Sequence, residues 1–306
     1  MMDIKLLEAF RVVMENRSIT RAAEVLGVTQ PAVSAQIARL ESVVGFALFE
    51  RANGRISPTT QGRAFHREVM QALGMIDRLE RVSETIRTGT ADTVVIASHP
   101  SASISVLPEL VARVIASRPG VNVKMINRTS EEVRGTFEAA AVDIGISEMP
   151  IDLSGIEVRK YIVDCVAIIP RGHALASRRK ITAADFSGLP FISMAHGRLI
   201  GHRIRNAIVE AGAEYRSVAD VEYFSSICGI VASGIGVSVV DAWSASTFSV
   251  TGIEVRPFEP RIAYEIGVFH SAERPLTSLA RTVLDMLDEK LRSGPSAVKA
   301  TRGRVQ

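Results

Sequence analysis

Two groups of residues have the types and spacing to act on a partner. The first is polar and lies near the start of the chain: Ser18, Thr20, Thr29, Gln30, Pro31, Ser34, Gln36 and Arg39, followed by Arg51, Arg55 and Thr59. Amides, hydroxyls and guanidiniums in this mixture suit base edges and phosphates. The second is rich in hydroxyls: Ser101, Ser103, Ser130 and Ser193, with His196. Ser101 and Ser130 stand at expected helix starts, where free N–H groups beside a hydroxyl suit an anionic ligand group. Serines in such places also serve as plain caps, so each carries that second reading.

The elements that must position the first group follow from the same stretch. Ser18 caps one short predicted helix, and Thr29, with Pro31 in the first turn, caps another. Gly27 falls in the turn between them, where a positive φ is often needed. Ala22, Ala23, Leu26, Val28, Val33, Ile37 and Leu40 are expected to face inward, which leaves Gln30, Ser34, Gln36 and Arg39 outside. This is the pattern of a helix-turn-helix; the plainer reading is a helical hairpin with a polar outer face. A preceding helix, about 4–16, sets Leu7, Phe10, Val13 and Met14 at helical spacing to brace the pair. Asn53-Gly54 between two short extended runs predicts a β-ribbon wing that carries Arg51 and Arg55 towards phosphates. The net charge is only +3, so polyanion binding rests on local clustering such as Arg51, Arg55, Arg63 and Arg67, with no acidic residue among them.

From residue 60 to about 87 there is no proline, and Phe65, Val69, Ala72, Ile76, Leu79, Val82 and Ile86 recur at spacings of three and four. A helix of that length, about 40 Å, exceeds what a small three-helix domain can cover, so the stripe predicts a second copy. Residues 88–92 break the helix. Strand–helix alternation then predicts a parallel sheet with helices on its faces, in two βαβ-type units. Strands near 162–165 and 263–265 are expected to join them, with ligands between the lobes at the C-terminal ends of strands. Three loops lead there: 99–105, 127–130 and 193–197.

The quoted residues carry a family likeness. Leu6-Leu7-Glu8-Ala9-Phe10, the Ser18–Leu26 helix, Thr29-Gln30-Pro31-Ala32-Val33-Ser34, Leu40-Glu41, Leu48-Phe49-Glu50-Arg51 and Thr59-Thr60-Gln61-Gly62 resemble the N-terminal domain of the LysR-type transcriptional regulators. The body to about residue 291 resembles their effector-binding domain, itself built like a periplasmic solute-binding protein, through 231–237 and Pro170-Arg171-Gly172-His173. The resemblance implies an α/β chain with a winged helix-turn-helix at 1–59 and a linker and dimerisation helix at 60–91. It implies a two-lobed effector domain at 92–292, with lobe 1 about 92–163 and 266–292 and lobe 2 about 164–265. It places effector contacts on Ser101, Ser130 and Ser193. The implied partners are a promoter inverted repeat in double-stranded DNA, a small-molecule effector, further copies of the chain as homodimer or homotetramer, and RNA polymerase. Residues 234–243 look most like the regulators of opine, arginine-derivative and lysine-pathway genes, which suggests an amino-acid-like effector with Asp220, Glu222 or Asp241 for its cationic group.

Other classes find little support. Gly234-Ile235-Gly236 lacks the third glycine of a dinucleotide loop, and phosphate-loop, G-x-S-x-G and H-E-x-x-H motifs do not occur. The six histidines have no metal-ligand spacing, and neither do Cys165 and Cys228, expected as buried reduced thiols. No enzyme activity, metal or cofactor is therefore expected. The start of the sequence has no basic segment followed by an apolar run, and no stretch approaches a membrane span, so a cytoplasmic location is expected. A non-sensing architectural DNA binder and a free solute-binding protein are the rival classes; the three polar loops argue against the first and residues 1–90 against the second. The basic tail, 293–306, is expected to be disordered.

Overall fold

Asp3, in extended backbone, accepts a hydrogen bond from Lys5 N (3.1 Å) and so starts the first helix. The computed structural model describes residues 2–52, 55–88, 93–138, 141–195, 197–293 and 301–305, without the side chains of 51, 52, 55, 81, 84, 85, 88, 251, 293 and 301–305. Its contacts divide the chain into two units, Met1–Thr90 with Gly135–Val142, and Ala91–Arg134 with Asp143–Gln306.

The N-terminal elements are α1 (Ile4–Asn16), α2 (Ile19–Leu26), α3 (Gln30–Val44), β1 (Phe49–Ala52), β2 (Arg55–Pro58) and α4 (Thr60–Thr88). The Ser18 hydroxyl accepts from Arg21 N (3.3 Å) and caps α2, which ends at Gly27 with φ of 66°. Phe10, Ala22, Val33, Leu40 and Leu48 have no measurable exposure and form the centre of this unit. Val28 does not join them; at 43% exposure it lies just past the turn, outside both helical faces. β1 and β2 pair antiparallel as the expected wing, whose tip, Asn53-Gly54, falls outside the described residues. Glu41 fastens the wing to α3 by accepting from Leu48 N (2.8 Å) and Phe49 N (3.2 Å). Gly62 is required at the foot of α4, because a Cβ there would stand 2.1 Å from the Leu48 carbonyl oxygen.

The apolar stripe of α4 is split between two environments. Val69 and Leu73 are buried in the core of the reading unit, and Phe65 and Ile76 pack against that core. Ala72 is exposed. Further along, Met75, Leu79, Val82 and Ile86 are 46, 66, 48 and 78% exposed. Only this second half is left to seek another helix.

The remaining elements, in order, are β3 (Thr93–Ser98), α5 (Pro100–Ser105), α6 (Leu107–Ser117), β4 (Asn122–Asn127), α7 (Ser130–Glu138), β5 (Ile144–Glu148), β6 (Ile156–Pro170), β7 (Ile181–Thr182), β8 (Pro190–Met194), α8 (Leu199–Glu210) and β9 (Arg216–Val221). Then come α9 (Phe224–Ala232), β10 (Ser238–Asp241), α10 (Ala242–Phe248), β11 (Ile253–Glu259), β12 (Ala263–Ser271), α11 (Ser278–Ser293) and β13 (Thr301–Val305). In lobe 1, β3 runs parallel to β4 and β5, and β12 continues the sheet antiparallel to β5. In lobe 2, β10 and β11 pair with the second half of β6, and β8 pairs parallel with β9. β6 is one unbroken strand of 15 residues; it and β12 run through both lobes side by side, with Ala263 opposite Asp164 and Glu265 opposite Ile162.

Two further expectations change. The 99–105 segment is no loop: Pro100 opens a short helix there, with His99 as its cap residue. Within the tail, Thr301–Val305 is a strand that pairs antiparallel with Ile156–Lys160 of β6; an open sheet edge offers unpaired N–H and C=O groups, which is reason enough for a chain to settle there. The rest of the tail, 294–300 and 306, lies outside the described residues.

Candidate functional site

The reading face is built on α3. Gln30, Pro31, Ala35, Ala38 and Arg39 are exposed, and Thr20 and Thr29 flank them, also exposed. Thr29 occupies the cap position with extended backbone, but its side chain makes no cap hydrogen bond. The Gln30 amide donates to the Ser34 hydroxyl (3.2 Å), which holds both side chains along the outer edge of the first turn. Ser34 and Gln36 are only half-exposed, and Gln36 Oε1 is buried with no partner, so Gln36 belongs to the edge of the face. Ala35 and Ala38, which sequence reasoning passed over, keep the middle of the helix narrow; short apolar side chains there suit close approach to a groove and to thymine methyl groups.

Thr59 departs from its expected part. Its hydroxyl donates to Ala47 O (2.8 Å) and accepts from Gly62 N (2.8 Å), so it joins the wing to the start of α4. Arg63 lies next to it, exposed, with Nη1 donating to Pro58 O (2.7 Å); it is the guanidinium fixed at the base of the wing. The side chains of Arg51 and Arg55 lie outside the described residues, although their backbone is that of the wing.

A polar network links the second unit's lobes where β3 and β5 end. The Ser101 hydroxyl, 6% exposed, donates to Asp241 Oδ2 (3.2 Å). Asp241 also caps α10 by accepting from Trp243 N (3.1 Å) and Ser244 N (3.0 Å). With no exposure and three donors, it is a structural anchor and not a free acid for a cationic ligand. Burial pushes its carboxyl above the ordinary range, against the pull of Ser244, His99 and Ser101. His99 is buried beside it, with Nδ1 against Ile146 O (3.3 Å) and Nε2 without a partner. Burial lowers its imidazole pKa, so neutral His99 is favoured.

The Ser130 hydroxyl accepts from Glu148 N (3.0 Å) at the end of β5. It is no cap, because Thr129 and Glu132 cap α7 reciprocally. The Glu148 carboxylate receives the Tyr264 hydroxyl (2.9 Å) and the guanidinium of Arg198, from the start of α8. The Tyr264 ring meets the His99 ring edge-on at 5.9 Å. Ser101 and Ser130 thus belong to one arrangement with buried His99, Tyr264 and Asp241 and part-buried Glu148 and Arg198. Beside it a cavity of about 280 Å³ opens between Pro100, Asn127, Arg128 and Thr129 of lobe 1 and Tyr223 and Ser225 of lobe 2.

Ser103 and Ser193 stand apart from that arrangement. Ser103 shares a hydrogen bond with Ser98 Oγ (2.5 Å) and holds α5 to the end of β3. Ser193 is bonded to Tyr215 Oη (2.5 Å) and Ser217 Oγ (2.7 Å) within lobe 2. His196 lies outside the described residues. Cys165 and Cys228 are buried free thiols, and burial pushes Cys228 up to about 12. Among the described residues no group of His, Cys, Asp and Glu side chains is arranged to hold a metal, and no helix is long and apolar enough to cross a membrane.

A winged helix-turn-helix with an exposed recognition helix, joined in one chain to a two-lobed α/β binding domain, defines a ligand-responsive transcription regulator. Residues 4–63 match the bacterial regulatory helix-turn-helix family of the lysR type, and residues 87–292 match the LysR substrate binding domain. The chain is 30% identical over 280 residues to the transcriptional activator protein LysR of Escherichia coli, covering 91% of this chain and 90% of that one. It is 27% identical to the octopine catabolism/uptake operon regulatory protein OccR of Rhizobium meliloti, over 99% of this chain and all of the relative. The crystal structure of CbnR, a LysR family transcriptional regulator, shares the fold with a TM-score of 0.70 at 21% identity, covering 97% of this chain and all of that one. The chain belongs to the LysR family: it is a DNA-binding transcription regulator with an effector-binding domain, and not an enzyme.

Proposed function

We propose that α3 enters the major groove of an operator half-site, with Gln30, Pro31, Ser34 and Gln36 near base edges and Arg39, Arg51, Arg55 and Arg63 on the phosphates. Ser18 and Thr20, at the start of α2, flank the DNA backbone. Two chains, paired through Met75, Leu79, Val82 and Ile86 of α4, would set two such heads at the spacing of an inverted repeat. A dimer of dimers and contact with RNA polymerase extend the same reading, as does a cytoplasmic site of action. The effector lies between the lobes beside Ser101 and Ser130, and its occupancy changes how the lobes and subunits pack, and so the spacing or bend of the bound DNA. An amino-acid-like effector fits the octopine operon that one relative regulates.

The observation that supports this reading best is the pair of interlobe bonds, Ser101 to Asp241 and Arg198 to Glu148, at the ends of β3 and β5. A ligand arriving there competes with or completes contacts that hold the lobes together. The test is selection from random DNA with the purified full chain, followed by titration with and without candidate effectors. An inverted repeat should emerge, and Arg55→Ala should weaken all sites alike while reducing the salt slope by about one. No preference over random DNA would refute it.

A further inference from the structure

We propose that lobe 2 holds a second small-molecule site, which meets the Ser101–Glu148 network only at Arg198 and takes a zwitterion of the α-amino-acid kind. β8, β9 and the first turns of α8 enclose a cavity of about 290 Å³, near the lower end of ligand-pocket sizes. Its floor is set by hydroxyls. Ser193, only 3% exposed, accepts from the Tyr215 hydroxyl and donates to Ser217 Oγ, and Ser217 in turn donates to Asp220 Oδ1 at 3.4 Å. Arg205 lies over the Tyr215 ring, 5.8 Å from its centroid.

The charges at the rim carry the argument. Arg205 and Asp220 both line the cavity, yet among the described residues neither is in an ion pair, with the other or with any third group. Opposite charges that face one space without closing on each other suit a guest of opposite polarity: a carboxylate at Arg205 and an ammonium at Asp220. A simple anion meets Asp220 and a simple cation meets Arg205, so each end selects against half of the charge pattern. Arg198 supplies a second donor for the carboxylate. It lines the same cavity, and its Nε is buried with no partner. Its other end holds Glu148 across the lobes, so an occupant of this cavity and the interlobe link share one guanidinium, a direct route for coupling the two places.

The probe is a mixture of the common L-amino acids at millimolar concentration, read on the full chain by the ¹³C-methyl signal of Met194, which lines the cavity and is assigned through Met194→Leu. The mixture should shift this signal, and omitting members in turn should identify the binder. Its N-acetyl and carboxamide derivatives should bind about tenfold more weakly, as loss of one charged contact implies. Arg205→Gln and Asp220→Asn, both at the exposed rim, should each weaken binding about tenfold with the fold intact by tryptophan-monitored melting. Ser101→Ala, which alters the interlobe network, should leave the Met194 shift in place. No shift with the mixture, or a shift that survives both rim variants, overturns the proposal. A shift lost in Ser101→Ala but kept in Arg205→Gln puts the amino acid between the lobes; that overturns the second site and leaves the proposed function standing.

Discussion

Replacing Arg198 by Met keeps most of the side-chain volume and removes a charge from the link between the lobes. Glu148 and Arg198 are 15 and 22% exposed in this pair. In Arg198→Met the carboxylate keeps the Tyr264 hydroxyl at 2.9 Å but has no counter-charge. Breaking a fully buried pair by removing one member costs about 3–5 kcal/mol; with part of each group still in water, about 2–4 kcal/mol is expected here. At roughly 2–4 °C per kcal/mol for a unit of this size, the effector unit should melt some 5–15 °C lower. Glu148→Gln in the same chain removes the stranded charge, so Arg198→Met with Glu148→Gln should recover about half of the loss. The chain has one tryptophan, Trp243, whose backbone N–H is held by Asp241, so its fluorescence reports on this unit during denaturation. A cost below about 1 kcal/mol for Arg198→Met would show the pair to be as weak as one on the open surface. A double variant no better than the single one would refute the charge argument altogether.

Leu79→Glu with Val82→Glu should convert the chain to monomers by light scattering and sharply weaken operator binding while the reading heads stay folded; an unchanged mass would refute pairing through this half of α4. Val69→Glu should instead unfold the reading unit, since Val69 is 2% exposed within that unit's own core. Ser101→Ala and Ser130→Ala should each reduce effector affinity about ten- to a hundredfold by calorimetry, with operator affinity in the absence of effector near wild type. Unchanged affinity in both would exclude these serines as contacts. Burial lowers His66 and His99 below the ordinary 6.5, so the unfolded imidazoles take up protons first as pH falls. Urea stability should therefore be insensitive to these two groups above about pH 6.5 and decline below it, until the lowered folded values are passed. Substituting Gln for each should flatten that decline. Asp241, pushed up by burial, works the other way nearer 3.8, where protonation favours the folded state.

The reading head was legible because its signals are local: caps, a turn glycine and a helical period within one short stretch. Val28 escaped because it follows Gly27, where no period fixes which way a side chain faces. The stripe on α4 was legible as a stripe, but its period is the same whether its own domain or a second chain covers it. Hence Val69 and Leu79 read alike and differ completely in exposure. The two joining strands could be placed because each is a continuous β-rich run, and the hydroxyl-bearing segments because serine and threonine gather at helix starts. Which serines share a site could not be read, since Ser101 finds its acceptor 140 residues away and Glu148 meets residues 50 and 116 positions off. Ser193 shows the converse: a correct strand position with its hydroxyl turned to Tyr215 and Ser217 instead.

The divided environment of α4 makes it a lever with its N-terminal end fixed. Val69 and Leu73 anchor that end in the reading head, so α1, α2, α3 and the first half of α4 share one core. From Thr60 to Leu79 the helix spans about 30 Å. A change of ten degrees or so in how two such helices cross near Leu79 would carry each head by about 5 Å at that radius, well over one base-pair step along the duplex. On the proposed pairing, the signal that reaches the DNA would be an angle set far from it, and residues that tune the response would need to touch neither the effector nor a base.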